Sequence, residues 1–144
     1  MNDISLPVLS ADAIMALIYE GVPSANQSGF RVLAVSKQSA DCVMSYDAQQ
    51  LRPGGTLSGP TMMALADSAM YAAVLAHYGE LMLAVTQDFT IHFLAKPAPD
   101  DLHATATIIK AGKRSVVLTV HIYSQQQLVA HASGSYVLPA KKTV

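Results

Sequence analysis

The chain has 144 residues, enough for one domain with a real core. Hydrophobic residues make up 51% and charged residues 13%, which excludes a disordered chain and suits a compact domain that hides further surface in an oligomer. A net charge of -1 argues against a general nucleic-acid binder, and the lone Cys42 allows no internal disulfide, as expected in a reducing compartment.

The opening MNDISLP carries an acid and no basic start before an apolar run, so neither a signal peptide nor a lipidation site is expected, and the cytoplasm is the expected location. SADAIMALIYEG (10–21) reads as a short amphipathic helix with Ser10 as N-cap and Gly21, then Pro23, as the stop. Two extended pieces follow, FRVLAVS (30–36) and DCVMSYD (41–47), joined by the polar turn KQSA. The turn-rich loop AQQLRPGGTLSG leads into a long helix, where Pro60 suits the first helical position and Gly79 the stop. Four strands complete the chain: LAVTQDFTIHFLA, DLHATATIIKA, RSVVLTVHIYS and QLVAHASGSYVL, each with β-branched enrichment or alternation. No repeat, linker or low-complexity tract interrupts this order.

The long helix is apolar on nearly every side and carries one acid, Asp67, in its middle. A membrane span is disfavoured, because a mid-helix Asp is costly in lipid, no Lys or Arg cluster flanks the segment, and strands follow it. A helix with such a surface is otherwise buried inside a protein. One long apolar helix against consecutive antiparallel strands implies an α+β single domain, with a curved antiparallel sheet wrapped around the helix and its other face free for solvent or a partner.

The run GTLSGPTMMALAD resembles the GxxHGGxxxxLxD signature that opens the central helix of hotdog-fold acyl-CoA thioesterases of the PaaI-like, phenylacetate-degradation branch, related to 4-hydroxybenzoyl-CoA thioesterases. The resemblance continues through TQDFTIHFLAKPA and the C-terminal strands, so it implies a hotdog core over 29–138 preceded by a helix and loop over 1–28. It implies that Asp67 is the nucleophile or general base and that Gly59 N–H polarises the thioester carbonyl. Thr86 falls where relatives hold the attacking water with a Ser or Thr. Lys110, Lys113 and Arg114 fall where relatives contact the phosphates or pantetheine of coenzyme A. Ser58 and Pro60 depart from the family His and second Gly, and Arg52 stands where Asn is common. Pro60 removes a donor that has no helical partner in a first turn, whereas the Ser58 hydroxyl is a weaker substitute for imidazole. Arg52 adds a fixed positive charge, which leaves open an action on Asp67 or a grip on a substrate carboxylate or phosphate.

Eight residues of helix place Gly59 and Asp67 about 12 Å apart along the axis, too far for one thioester carbon to touch both. If both serve one reaction, each site joins one helix start to the neighbour's helix middle, and a homodimer is required; whether two dimers form a tetramer stays open. The expected chemistry is hydrolysis of an acyl-CoA to a free acid and coenzyme A. It needs no metal or redox cofactor, and coenzyme A is part of the substrate. His92, His103, His121 and His131 lie on four different strands without paired ligand spacing, so they read as strand positions and not as a metal site. Met62, Met63 and Met70 read as core, Cys42 as an apolar filler, and the helix alanines 64, 66, 69, 72 and 73 as room for an acyl group. Two other classes remain: a non-catalytic acyl-CoA or fatty-acyl binding protein of the same fold, and a dehydratase or hydratase, which would want a His beside the helix start.

Overall fold

The computed structural model describes residues 6–53 and 55–140, without the side chains of Gln50, Leu51, Arg52 and Thr56. Helix α1 (Ala11–Gly21) starts at Ser10, whose hydroxyl accepts a hydrogen bond from Ala13 N–H, and it buries Ile14 and Ile18 one turn apart on a single face. The Tyr19 hydroxyl donates to the Phe30 carbonyl and ties this helix to the first strand. A short helix α2 (Pro23–Gln27) follows at once. Pro23 was expected only to stop α1; a first turn tolerates proline, and here it also opens the next helix.

Strands β1 (Phe30–Val35) and β2 (Ser39–Met44) pair antiparallel. The second begins at Ser39 instead of Asp41, because Ser36 N–H donates to the Ser39 carbonyl at 2.9 Å and their hydroxyls meet at 2.8 Å, which closes the turn early. The expected loop contains a 3-10 turn (Ala48–Gln50) and a two-stranded ribbon, β3 (Leu51–Arg52) with β4 (Thr56–Leu57). Helix α3 (Gly59–Tyr78) is capped by Ser58 and ends at Gly79, whose φ of 95° favours glycine. Strands β5 (Val85–Phe93), β6 (Leu102–Ala111), β7 (Ser115–Ser124) and β8 (Gln127–Val137) complete a six-stranded antiparallel sheet in the order β1-β2-β6-β7-β8-β5.

The sheet wraps α3 because its strands alternate. On β6 and β7 the residues Leu102, Ala104, Ala106, Val116, Leu118 and Val120 are buried against the helix, while Thr105, Thr107, Thr119 and His121 face outward and are half-buried. Helix α3 packs chiefly on β2, β6 and β7. Its Ala66, Ala69, Ala72 and Ala73 are fully buried, so these small residues let the sheet close on the helix and do not leave room beside it; Ala64 is exposed. Met62 and Met70 are core, but Met63 is 41% exposed. Among the described residues no helix is long and apolar enough to cross a membrane.

Among the described residues strand β5 has only β8 as neighbour. Along this edge Leu83, Val85, Phe93 and Leu94 are exposed, Leu83 to 79%. An unpaired edge lined with apolar side chains is a ready surface for another chain.

Candidate active site

At the start of α3 the Ser58 hydroxyl accepts a hydrogen bond from Thr61 N–H at 3.3 Å and shares another with the Thr61 hydroxyl at 2.9 Å. The residue standing in place of the family His therefore serves here as an N-cap. Gly59 is the first helical residue, and its N–H belongs to the donors that a helix start leaves without an intrahelical partner; Pro60, one position later, has no N–H to lose. A Cβ on residue 59 would sit 3.1 Å from the Phe93 ring, so glycine lets that ring lie against the helix start. Gly59 and Phe93 border a cleft of about 670 Å³, with Pro53, Leu57, Met62 and Lys96 also in its wall. The Arg52 side chain lies outside the described residues, so its expected role meets no geometry; its backbone belongs to β3.

The middle of the helix is built differently. Asp67 is half-buried, and its Oδ1 accepts two hydrogen bonds, from the Thr86 hydroxyl at 2.7 Å and from the Tyr136 hydroxyl at 2.7 Å. The Tyr136 hydroxyl also lies 3.0 Å from the Asp67 backbone carbonyl. Alternation along β8 turns Tyr136 toward the helix, and pairing sets Thr86 of β5 directly opposite it. A bulge between Thr86 and Asp88 makes that possible: with Phe89 and Ile91 facing the helix, regular alternation would aim Gln87 inward and Thr86 outward. The extra residue sends Gln87 and Asp88 to the outer face, where both accept from the Ser135 hydroxyl. Tyr71, one turn beyond Asp67, stacks on Tyr136 with ring centroids 6.0 Å apart and planes 10° apart, and donates to the Met82 carbonyl at 2.8 Å. Burial, and then the charge of Asp67, push the Tyr136 phenol well above its ordinary range, against a smaller opposing effect of the Thr86 hydrogen bond, so it keeps its proton and remains a donor.

Sequence reasoning missed Tyr136. A tyrosine on the helix-facing side of an apolar strand is itself a signal, since a buried phenol needs a partner, but naming that partner requires knowing that β8 lies beside β5.

Lys113 and Arg114 form the turn between β6 and β7 and line a second cleft of about 870 Å³ with Tyr78, Leu81 and Leu138. The Tyr78 hydroxyl donates to the Gly112 carbonyl at 2.7 Å and pins this turn to the end of α3. Leu138, in the wall of this cleft, follows Tyr136 by two residues in the chain. Lys110 is not brought to it: it lies within β6, exposed, opposite Val117.

Four of the five histidines occupy strand positions, and His77 lies in the last turn of α3. His92, His131 and His121 stand directly opposite one another across β5, β8 and β7, and His103 lies on β6. Among the described residues no group of three or more His, Cys, Asp or Glu is arranged to hold a metal ion. Cys42 is buried, and burial followed by the charge of Asp41 pushes its thiol up to about 12.

A central helix wrapped on one side by a six-stranded antiparallel sheet is the architecture of the hotdog-fold thioesterases. The thioesterase superfamily model matches residues 54–131, from the ribbon through the last histidine of the ladder. The chain belongs to the thioesterase superfamily and is a thioester hydrolase. A protein of Silicibacter sp. TM1040 described as a candidate thioesterase is 35% identical, covers 93% of this chain and 94% of its own, and superposes with a TM-score of 0.85. The PaaI protein from the phenylacetic acid degradation operon of E. coli is 27% identical over 90% of this chain and 94% of its own, with a TM-score of 0.81. A thioesterase of Haemophilus influenzae shares the fold at 18% identity, covering 95% of each chain with a TM-score of 0.82. No curated protein matches the chain.

Proposed function

We propose that this thioester hydrolase acts on an acyl-CoA, releasing a free acid and coenzyme A, from sites that each combine Gly59 of one subunit with Asp67 of its partner in a homodimer. The observation that carries the reading is the division of α3 into an open backbone donor at its start and a carboxylate anchored by two hydroxyls in its middle. Two further features support it. The about 12 Å of helix between Gly59 and Asp67 requires two subunits, and the exposed apolar edge at β5 offers a surface for the second.

In this reading the thioester oxygen sits on Gly59 N–H, at the positive end of the helix, where developing charge is stabilised. Asp67 acts by one of two routes. As a general base it takes a proton from water while the water oxygen bonds to the carbonyl carbon; collapse of the tetrahedral oxyanion breaks the C–S bond, and the thiolate of coenzyme A leaves and is protonated. As a nucleophile it bonds to the carbonyl carbon itself, expels the thiolate and leaves a mixed anhydride that water then cleaves. The Thr86 hydroxyl, while donating its hydrogen bond to Asp67, keeps lone pairs that hold a water beside the carboxylate. Lys113 and Arg114 attract the phosphates of coenzyme A. The residues supply all of this chemistry, with no metal or redox cofactor called on.

The test is free-thiol release, followed with a thiol reagent, from aryl-, short-, medium- and long-chain acyl-CoAs by the wild type and Asp67→Asn. Turnover of some of these that falls by about 10² or more in the variant, with the circular dichroism unchanged, supports the reading and names the acyl class. No release by the wild type, or equal activity in the variant, overturns it in favour of a binding protein of the same fold.

A further inference from the structure

Two hydroxyls converge on one oxygen of Asp67, and among the described residues no hydrogen bond falls on the other. We propose that Tyr136 is the positioning residue of this reaction: with Thr86 it occupies Oδ1, fixes the rotation of the carboxylate, and thereby makes Oδ2 the oxygen that attacks the thioester or takes the proton from water. The proposal rests on the reading of Asp67 as the reacting carboxylate.

The end of an aspartate side chain turns in a broad energy well, so without fixed donors either oxygen would face the substrate. Two bonds of 2.7 Å to a single oxygen, in the range of strong bonds to a charged acceptor, remove that freedom. The donors differ in rigidity. Thr86 stands exposed on the edge strand, beside a bulge. Tyr136 is 3% exposed, lies on a strand flanked on both sides, and is backed by the stacked ring of Tyr71. Tyr136 is therefore the fixed point and Thr86 the adjustable one.

A second geometric feature fits a reacting carboxylate. The Tyr136 hydroxyl has one proton and two acceptors within 3.0 Å, Oδ1 of Asp67 and the backbone carbonyl of the same residue. When Asp67 is protonated or bonded to the acyl group, its side chain accepts less strongly, and the phenol swings its proton to the carbonyl without losing a partner. A donor with such an alternative holds the charged carboxylate and is not stranded when the charge is spent.

Among the described residues, the titratable group hydrogen-bonded to the carboxylate is Tyr136 from β8, with Tyr71 of the carboxylate's own helix stacked on that ring and the non-titrating Thr86 from β5 on the same oxygen. In Tyr136→Phe, the ring and its stacking stay and only the donor goes. The expected result is a kcat lower by about 10-fold or more with a KM within about 2-fold of the wild type, because the substrate still binds and only the carboxylate loses its fixed orientation. Thr86→Val, which removes the other donor to the same oxygen, is expected to lower kcat by less, again with KM unchanged. Melting curves establish that each variant is folded. A wild-type kcat in Tyr136→Phe, a loss that falls mainly on KM, or, should that variant not fold, a Thr86→Val enzyme with wild-type kcat overturns the proposal. An Asp67→Asn enzyme that stays active overturns the reading of Asp67 instead.

Discussion

The start and the middle of α3 are built on opposite plans. In the proposed reading the useful group at Gly59 is a backbone N–H, and the surrounding residues matter mainly for what they omit: no Cβ on Gly59, no donor on Pro60, and a Ser58 hydroxyl already engaged as the cap. At Asp67 the useful group is a side chain, and it acquires its geometry from two strands that meet only in the folded sheet. An oxyanion site needs the bare end of a helix, whereas a reacting carboxylate needs neighbours. Because the two stand about 12 Å apart on one rigid element, no side-chain motion brings them together, and in the proposed reading a second copy of the helix does.

The largest effect expected from this contrast comes from removing a backbone donor. Gly59→Pro deletes the N–H while keeping a helix start, since proline suits the first helical position and Ser58, at φ -78° and ψ 157°, already has the extended backbone that precedes proline. The expected loss in kcat is about 10² to 10³, the range for one oxyanion donor. Gly59→Ala is the control: it keeps the N–H, and its Cβ asks only that the tip of Phe93 shift, so activity is expected within about 10-fold of the wild type. Equal activity in the proline and wild-type enzymes would remove the helix start from the site.

A subunit-mixing experiment sharpens the same comparison with a smaller but qualitatively distinct signal. Asp67→Asn and Gly59→Pro subunits are each expected to be nearly inactive alone. Unfolded together and refolded, half of the dimers combine one of each, and each such dimer holds one site with both groups intact, so about a quarter of wild-type activity is expected to return. If the two groups acted within one chain, nothing would return.

The larger elements were legible in the sequence because each has a strong period. The alternation in DLHATATIIKA and RSVVLTVHIYS marks the strands that the sheet contains as β6 and β7, and the helical run from Pro60 to Gly79 carries both its start and its stop signal. The ribbon of β3 and β4 was not legible, since two-residue strands carry no period, and α2 was hidden behind a proline that reads equally well as a stop. The site divides along the same line. Gly59 and Asp67 lie on one continuous element at a spacing that sequence preserves, whereas Tyr136 is 69 residues from Asp67 and meets it only through the sheet order. Thr86 faces the helix only through the bulge, which no local alternation announces. Lys110 falls with Lys113 and Arg114 where relatives contact coenzyme A, but the turn begins after it, and it lies within β6 opposite the exposed Val117.

The smallest expected effect concerns Ser58, the residue at the helix start whose side chain does have a fixed partner. Its hydroxyl accepts from Thr61 N–H and pairs with the Thr61 hydroxyl, so Ser58→Ala removes a cap and should lower stability by about 1 kcal/mol in a denaturant melt. Loss of the cap frees Thr61 N–H but leaves Gly59 N–H where it was, so kcat is expected to stay within about 3-fold of the wild type. This outcome would set the start of the helix apart from its middle, where removing one hydroxyl of Tyr136 is expected to change the reaction itself. A large fall in kcat at unchanged stability would mean instead that the Ser58 hydroxyl leaves its cap to meet the substrate. The helix start would then, like the middle, depend on a side chain.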